Sequence, residues 1–426
     1  MFAALNRRYG SSVVRVNLPR NNHAVVISDP ALAKDVFSTS TDLIERAGSG
    51  AGTIADAFGR GSTFSLAGRE HLERRKLLAP PFHGKRMRSY DRIIEEEVMR
   101  EIVTWQDGRE FATLGPMLRI TCGAILRPVF GAEGPALDEL RQTVPALVTL
   151  GSFVVVTPQA LRRDLGPWSP WGRYARKRRR FDAVIDSLIA DARADPAIEE
   201  RSDVLALLLQ ARYESGEPIS DRHIADELLT LLGAGHETTA SSLAWTVERL
   251  CRYPELQSRL ADEADVGGSE LRQATIWEVQ RTRPVLEGTT RRTVTRVRLG
   301  EWVLPENTNI IISIKAVHDL EESFPDAASF NPDRFIGAKP GAAWIPYGGG
   351  VNRCVGAAFA HMEMDIALRT LLREFRFAPT DAPGERSRWR GVAHVPSRGG
   401  RAVVYRRTAG ASSGARPASM SDHDSA

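Results

Sequence analysis

The feature that most constrains the fold of this chain is a long helical pattern between Ser220 and Arg252. Apolar residues recur three or four positions apart throughout it, which is the spacing of a helix face. Ser220 followed by Asp221 makes a good N-cap, and Pro254 ends the run. A helix of about 32 residues exceeds the usual length and crosses a whole domain. The pattern (about 220–252) therefore predicts a large helical protein built around one central element.

The rest of the chain predicts a mainly α protein with a smaller β-rich part. From about 30 to 280 the spacing of the apolar residues is mostly helical. Two β-rich runs near the start predict a hairpin (about 12–28), and short strands and turns are expected after residue 284. The small, polar tail (408–426) is predicted to be disordered. No Pro/Gly/Ser-rich linker marks a boundary before that tail, so we expect one domain over 1–407.

The composition excludes several functional classes. Hydrophobic residues make up 42% of the chain and charged residues 26%, which is typical of a folded globular protein. No run reaches the roughly 18 apolar residues that span a bilayer, and the first residues do not form a signal peptide. We therefore expect a cytoplasmic protein without a transmembrane segment. The basic run Arg176–Arg180 predicts a solvated helix face, or a contact with an acidic partner or an anionic membrane. Without interleaved aromatic residues, it does not indicate nucleic-acid binding.

The three cysteines are too few for a disulfide framework and form no CxxC zinc pair. Cys354 lies in a distinctive setting, the cysteine loop (347–356), with the sequence Tyr-Gly-Gly-Gly-Val-Asn-Arg-Cys-Val-Gly. Its glycines, Gly350 among them, let the backbone approach something bulky and flat. The cysteine is predicted in the first turn of a helix, where N–H groups stabilise a thiolate, a suitable ligand for haem iron. The loop lacks the Gly-Lys-Ser/Thr of a phosphate-binding loop, and an ordinary buried cysteine is the alternative.

Two pairs of charged residues share predicted helix faces. Glu278 and Arg281 are three positions apart, and His71 and Arg75 are four apart. The second pair suits a dianionic partner, because both side chains donate hydrogen bonds from one face. From these residues alone, the commoner interpretation of Glu278 and Arg281 is a surface ion pair. For His71 and Arg75 it is an exposed basic helix.

The segment Ala234–Thr239 interrupts the apolar character of the long helical run. Glycine costs a helix about 1 kcal/mol relative to alanine, so Gly235 needs a reason, such as a local widening that admits a small ligand. Glu237 and Thr238 then supply an acid and a hydroxyl that can relay protons. A solvated polar patch with a hydroxyl bonded back into the helix is the alternative. Ala240 excludes the HExxH zinc motif.

Residues 347–356 resemble the haem-binding signature of the cytochrome P450 family, Phe-x-x-Gly-x-x-x-Cys-x-Gly. Tyr347 keeps the aromatic ring of the family's Phe. Asn352 stands where the family usually carries Arg or His to bind a haem propionate, and an Asn side chain brings no charge. Arg353, the next residue, offers partial compensation.

Further segments match motifs of the same family in the correct order. The segment Ala234–Thr239 is similar to its acid–alcohol motif, and Gly68 to Phe82 is similar to its propionate-binding helix. Arg291 matches a further propionate ligand, with Arg292 as the alternative. The residues that match the family's structural network beneath the haem are Glu278, Arg281 and Arg334, the last of them within Asn331–Phe335.

The resemblance implies the cytochrome P450 fold, an α-helical prism with a long central helix over the haem and short β-sheets. It implies haem b, with Cys354 as the axial thiolate ligand of the iron. Thr238 and Glu237 are implied as the catalytic pair. The other residues that it implies at the cofactor are His71, Arg75, Arg291, Gly350, Gly356 and Tyr347.

The reaction implied by the resemblance is activation of O2 to hydroxylate or epoxidise a lipophilic small molecule of the fatty acid, terpenoid or steroid class. The chain has no flavin or ferredoxin motif of its own. Electrons are therefore expected from a separate ferredoxin or flavodoxin with its NAD(P)H reductase. Two alternatives stay open: a peroxide-driven or isomerising haem-thiolate enzyme, and a non-catalytic haem protein that binds or senses a small ligand. The Glu237–Thr238 pair favours the monooxygenase.

Overall fold

The computed structural model describes residues 8–18, 22–47, 53–82, 87, 90–131, 134–158 and 162–407. The tail predicted to be disordered (408–426) lies outside the described residues, and so do residues 19–21 between the first two strands. Within the described part of the chain, we find no helix that is both long enough and apolar enough to cross a membrane.

Most of the described chain is helical, and short strands make up the smaller β part, as the sequence predicts. Two short 3-10 turns, Pro332–Phe335 and Gly350–Asn352, lie in the stretch that leads to Cys354. The helices, in chain order, are α1 (Pro30–Ser38), α2 (Thr53–Phe58), α3 (Gly68–Leu78), α4 (Tyr90–Ile102), α5 (Leu114–Phe130), α6 (Pro135–Val156), α7 (Pro170–Ala194), α8 (Val204–Gln210), α9 (Asp221–Leu250), α10 (Pro254–Val266), α11 (Glu270–Thr282), α12 (Ile314–His318) and α13 (Ala357–Glu374).

Helix α9 is the long central helix that the sequence predicts. The Ser220 hydroxyl caps it by accepting a hydrogen bond from the backbone N–H of His223, and the helix runs for 30 residues to Leu250. Nearly every residue along it is buried, because α5, α6, α7, α8, α11 and α13 pack around it. It lies between two large apolar clusters, one formed mainly with α5, α6 and α7, the other with α5, α10 and α13. Glu237, near its middle, is buried.

The strands are short and form small sheets. β1 and β2 are antiparallel and form the predicted hairpin, and β2 continues into a five-stranded sheet of order β1-β2-β8-β5-β3. The strands are β1 (Val13–Leu18), β2 (Asn22–Ile27), β3 (Ile44–Arg46), β4 (Glu110–Ala112), β5 (Thr289–Thr293), β6 (Val297–Leu299), β7 (Trp302–Leu304), β8 (Asn309–Ile312), β9 (Phe375–Phe377), β10 (Ser387–Arg390), β11 (Ala393–Pro396) and β12 (Arg401–Arg406). β3 and β4 lie within the region that was predicted to be helical. The sequence did not indicate these strands, because three residues are too few to show a period of two.

The pairing of β3 with β5 brings distant charged residues together. Arg46 lies opposite Arg291, and Glu45 lies opposite Arg292. The Nε of Arg292 donates to Glu45 at 3.0 Å, so this pair is neutralised within the sheet. Arg46 and Arg291 share a face of the two strands, because residues opposite each other in an antiparallel pair point to the same side.

The basic run Arg176–Arg180 lies in α7, and only part of it is a solvated face. Arg179 and Arg180 are exposed. Arg178 is buried and donates to Asp182 at 2.7 Å and to Asp226 of α9 at 2.6 Å. The predicted solvated face is therefore wrong at Arg178, because one side of an amphipathic helix turns toward the core.

Candidate functional site

Cys354 lies in the loop that leads into α13. Its backbone N–H donates to the carbonyl oxygen of Tyr347 at 3.0 Å, which closes the cysteine loop on itself. Helix α13 begins at Ala357, after Gly356 at its N-cap. The prediction that Cys354 stands in the first turn of this helix is therefore wrong. A loop hydrogen bond, not a helical one, occupies its N–H.

The surroundings of the Cys354 thiol oppose its ionisation on balance. Cys354 is exposed, but the protein atoms around its thiol displace water and raise the pKa of the thiol. The backbone N–H of Gly356 and the guanidinium groups of Arg75 and Arg353 act in the opposite direction. The stabilisation expected from the helix end is thus present through Gly356, but it does not dominate. An iron ion bound to the sulfur would favour the thiolate.

The glycines of the cysteine loop serve two different purposes. Gly348 and Gly350 have positive φ, 65° and 63°, a conformation that favours glycine. A Cβ on Gly350 would lie 1.9 Å from the carbonyl oxygen of Phe37, so this glycine lets the loop pack against α1. A Cβ on Gly356 would meet no described atom within 4 Å. Open space for a flat group is therefore found at Gly356, whereas the packing at Gly350 is explained by the protein itself.

Two basic side chains indicated by the sequence reach the cysteine loop, and a third, His71, lies close to them. Arg75 and Arg291 donate through Nη2 to backbone carbonyl oxygens of the loop, at 2.6 Å and 3.5 Å respectively. His71, on α3 with Arg75, is buried, and its Nε2 has no hydrogen-bond partner among the described residues. Arg292, the alternative to Arg291, is turned to Glu45 instead.

The electrostatics of this cluster fit a buried dianion. Burial and the neighbouring Arg46 lower the pKa of Arg291 to about 10. Burial together with Arg46, Arg75 and Arg291 lowers the pKa of His71 to about 3. Like charges gathered in this way destabilise one another unless an anion lies among them. Haem is flat and carries two propionate carboxylates, so the basic cluster and the open space beside Gly356 both fit it.

Glu278, Arg281 and Arg334 form the buried ion cluster that the resemblance implies. The Nε of Arg281 lies 2.7 Å from Oε2 of Glu278, and the Nε of Arg334 lies 3.2 Å from the same oxygen. Arg281 also donates to three carbonyl oxygens between residues 318 and 329, each at 2.9 Å. The cluster therefore ties α11 to the stretch of chain that leads to the cysteine loop.

Tyr347 fastens the start of the cysteine loop to α11. Its hydroxyl accepts a hydrogen bond from Nε2 of Gln280 at 2.7 Å, and its ring packs against Trp344 and His361. Burial raises the pKa of the phenol well above its ordinary value, so the hydroxyl stays protonated. The structure thus gives Tyr347 a place as an anchor of the loop.

Glu237 and Thr238 lie in the middle of α9. The Thr238 hydroxyl donates to the carbonyl oxygen of Ala234 at 2.8 Å, which is the bond back into the helix that the sequence left as an alternative. The helix is unbroken here, so the predicted local widening is not observed. A Cβ on Gly235 would lie 3.3 Å from Ile125 of α5, and close helix packing accounts for this glycine instead.

Two residues that the sequence did not indicate hold the carboxyl group of Glu237. Ser152 of α6 donates to its Oε2 at 3.1 Å, and Nη1 of Arg390, in β10, lies 3.7 Å from its Oε1. Burial raises the pKa of Glu237, while Arg390 and Ser152 lower it. The Oε1 of Glu237 and Nη1 of Arg390 have no hydrogen-bond partner among the described residues. This acid therefore keeps hydrogen-bonding capacity for a further polar group.

Two other charged residues near these sites were not singled out from the sequence. Nη2 of Arg46 donates to Oδ1 of Asn352 in the cysteine loop at 3.3 Å. Glu363 of α13 is buried, which raises its pKa well above the ordinary value, while a hydrogen bond with Thr239 of α9 lowers it. The spacing of neighbouring residues does not indicate Arg46 or Glu363 as part of a site, because their partners lie in distant segments of the chain.

Comparison with known proteins agrees with this geometry. The family model described as Cytochrome P450 matches residues 1–399. The chain belongs to the cytochrome P450 family. A Mycobacterium tuberculosis relative with the provisional name cytochrome P450 138 is 52% identical over 403 residues, which covers 94% of this chain and 90% of that protein. Another, provisionally cytochrome P450 137 of the same organism, is 39% identical over 399 residues, covering 93% and 83%.

The fold is shared with solved structures. Cyanobacterial CYP120A1 with retinoic acid bound has a TM-score of 0.83 at 20% identity, covering 95% of this chain and 93% of that one. The heme domain of cytochrome P450DA has a TM-score of 0.82 at 20% identity, covering 96% and 92%. The predicted cytochrome P450 fold is thereby confirmed. As a cytochrome P450, the chain binds haem through a cysteine thiolate and is in general terms a haem-thiolate monooxygenase.

Proposed function

We propose that Cys354 is the iron ligand of this monooxygenase, which uses O2 to hydroxylate or epoxidise a lipophilic small molecule. The observation that carries the proposal is that Arg75 and Arg291 bind the loop that contains Cys354, with the buried His71 beside them. The two carboxylates of a haem would neutralise that cluster. When bound, the haem supplies the oxygen chemistry, and thiolate ligation favours cleavage of the O–O bond.

The residues around the loop would hold the cofactor from several elements at once. His71 and Arg75 approach from α3, and Arg291 approaches from β5. Gly356 leaves room for the ring beside the sulfur. Gly350 lets the loop rest on α1, and Tyr347 fixes its start to α11. In this proposal the same arginines that meet the propionates also hold the loop that carries the thiolate.

Glu237 and Thr238 are proposed to deliver protons. Because burial raises the pKa of Glu237, its carboxyl group keeps a proton at a higher pH than an ordinary glutamic acid does and can act as a general acid. The neighbouring Thr238 hydroxyl now donates to Ala234. A rotation about its Cα–Cβ bond would free the hydroxyl from the helix. It could then donate its own proton toward the cofactor side while its oxygen accepts a replacement proton from Glu237, which is left ionised.

The substrate is proposed to be lipophilic, of the fatty acid, terpenoid or steroid class. Residues 150–155 of α6 are apolar apart from Ser152, and Ser152 reaches Glu237. Apolar side chains beside the proposed proton donor favour a hydrophobic ligand. The electrons are proposed to come from a separate ferredoxin or flavodoxin with its NAD(P)H reductase, because the sequence contains no flavin or iron–sulfur motif.

The proposed ligand is tested by the absorption spectrum of the reduced, CO-bound protein. Thiolate ligation predicts a strongly red-shifted Soret band for the wild type, and Cys354→Ser should abolish it. Cys122→Ala and Cys251→Ala are the controls, since both thiols are buried, with pKa values raised to about 12, and neither lies in the cysteine loop. Both control proteins should keep the band. A Cys354→Ser protein that also keeps it would show that the assignment is wrong.

Turnover with a reduced ferredoxin separates the monooxygenase from its alternatives. A monooxygenase forms product only when both the electron donor and O2 are present. A peroxide-driven enzyme forms product with peroxide alone, an isomerising enzyme needs neither, and a haem sensor forms none. A library of fatty acids, terpenoids and steroids, scanned for shifts in the haem spectrum, would then identify the substrate class.

A further inference from the structure

Asn352 leaves the cysteine loop without the charge that the family usually carries at this position. Its Oδ1 nevertheless accepts a hydrogen bond from Nη2 of Arg46 at 3.3 Å. Arg46 ends β3, and the sheet sets it opposite Arg291 of β5. The two guanidinium groups therefore approach the loop together, Arg291 at the carbonyl oxygen of Gly349 and Arg46 at Asn352.

The convergence of two guanidinium groups at one place on the loop favours a bound anion there. Like charges directly opposite each other on two strands repel. Burial and Arg75 lower the pKa of Arg46 to about 10, and Glu227 opposes that shift. Glu227 already accepts hydrogen bonds from Arg74 at 3.1 Å and from the Thr63 hydroxyl at 2.8 Å. Glu227 is therefore shared among several donors of this region.

We propose that Arg46 binds a haem propionate and supplies from β3 the positive charge that Asn352 lacks, while Asn352 positions the Arg46 guanidinium group. This inference rests on the proposed haem site and deepens it. A carboxylate that meets guanidinium groups accepts charge-assisted hydrogen bonds, which are roughly twice as strong as neutral ones. An arginine at position 352 would set a further cation against Arg46. A neutral hydrogen-bond acceptor fits that position for this reason.

A purely structural role for Arg46 is the competing explanation. Its Nη1 donates to the carbonyl oxygen of Thr63 at 3.3 Å, and its guanidinium carbon lies 5.5 Å from the ring centre of Phe64. These contacts join β3 to the segment before α3. If they were the whole role of Arg46, replacing it would lower the stability of the protein without a specific effect on haem retention.

Transfer of haem from the purified holoprotein to excess apomyoglobin measures haem retention directly. Arg46→Gln is expected to speed haem loss roughly 10- to 100-fold, the range for losing one charged hydrogen bond. Arg292→Gln is the matched control, because it lies on the same pair of strands, loses the same charge and faces Glu45. It should change the rate by less than about 2-fold. The haem midpoint potential should also fall in Arg46→Gln and not in the control, since a positive charge favours the reduced form.

An exchange of the two residues tests the division of roles. Asn352→Arg alone places two cations together and should not slow haem loss. Arg46→Asn combined with Asn352→Arg moves the charge across the hydrogen bond, and should restore the rate to within about 3-fold of the wild type. Arg46→Lys keeps the charge but loses the planar fork, so it should lie between the wild type and Arg46→Gln. It also serves as the test variant if Arg46→Gln does not fold.

The inference is overturned if Arg46→Gln and Arg292→Gln both lose haem at the wild-type rate, or if the exchange does not restore retention. Failure of the proposed function would look different, because the wild type itself would then lack the red-shifted CO band. A normal wild-type band combined with no effect of Arg46→Gln rejects only the role of Arg46.

Discussion

At the scale of single residues, burial decides the chemistry of Glu237. Only 2% of the residue is exposed, Ser152 donates to one carboxyl oxygen, and Arg390 lies beside the other. Burial is the strongest influence and raises the pKa of the carboxyl group, whereas Arg390 and Ser152 act against it. The result is an acid in the middle of the central helix whose protonation depends on two residues from other elements.

Activity should fall as the pH rises through the raised pKa of Glu237, because the proposed proton donor then ionises. Glu237→Gln should lower kcat at least about 100-fold and remove this dependence. Arg390→Gln removes a charge that favours the ionised form, so the pKa rises further and the fall in kcat moves to higher pH. Ser152→Ala should move it in the same direction by less. The measurement is kcat against pH with an external electron donor. A shift to lower pH in Arg390→Gln would contradict the assignment.

Gly348 and Gly350 allow backbone strain to be separated from packing. Both have positive φ, but a Cβ at 350 would overlap Phe37, whereas one at 348 would meet no described atom within 4 Å. Gly348→Ala should therefore cost about 1–2 kcal/mol of stability, the penalty of the left-handed conformation. Gly350→Ala should cost about 1–3 kcal/mol more, because α1 must move. Urea unfolding of the two holoproteins measures the difference. Equal losses would show that Phe37 does not constrain the loop.

At the scale of elements, the cysteine loop is fastened by contacts from several helices and strands. Each contact comes from a different helix or strand, so the position of the loop depends on how those elements pack. The contacts are Phe37 of α1 with Gly350, Arg75 of α3 with the carbonyl oxygen of Arg353, Gln280 of α11 with Tyr347, and Arg291 of β5 with the carbonyl oxygen of Gly349.

Breaking the buried Glu278 cluster should cost much more than breaking an exposed ion pair beside it. Glu278→Gln leaves Arg281 and Arg334 without their anion, so the free energy of unfolding should fall by about 3–5 kcal/mol. The control is Arg259→Gln, which breaks the pair between Arg259 and Asp333, whose side chains are both 52% exposed. It should cost less than about 1 kcal/mol. Urea unfolding followed by circular dichroism compares the two, and similar losses would refute a special role of the buried cluster.

At the scale of the whole molecule, the fold gathers one site from segments spread along the chain. Helix α9 carries Glu237 between the two large apolar clusters, while the five-stranded sheet carries Arg46 and Arg291 to the cysteine loop. The chain has a net charge of +4, and Arg353 is exposed next to Cys354. An acidic electron carrier would be attracted to such a surface.

Reduction of the haem by an acidic ferredoxin should therefore slow as salt rises. Raising the ionic strength from about 0.05 M to about 0.5 M should lower the rate at least about tenfold, because the attraction is screened. Arg353→Glu should slow the reaction further at low salt. Arg179→Glu is the control, since it makes the same change of charge at an exposed position of α7. Stopped-flow absorbance measures these rates, and equal effects of the two substitutions would argue against docking at the cysteine loop.

Local spacing alone determined several features of this protein. The cap at Ser220 and the apolar period predicted α9, and the alternation of the first residues predicted the hairpin. The glycine-rich run before Cys354 and its resemblance to a family signature indicated the cofactor, and the family is confirmed. These features depend on residues a few positions apart, so they can be predicted from the sequence without knowledge of the tertiary structure.

Only the tertiary structure decided which side chains meet. It set Arg46 opposite Arg291 and against Asn352, and it brought Ser152 and Arg390 to Glu237. It also showed that Cys354 lies before α13, and not in the first turn of that helix as the sequence predicted. The partners in these contacts lie in separate segments, and β3 is too short to show a period. Such contacts arise from the packing of helices and the register of strands, which no local pattern encodes.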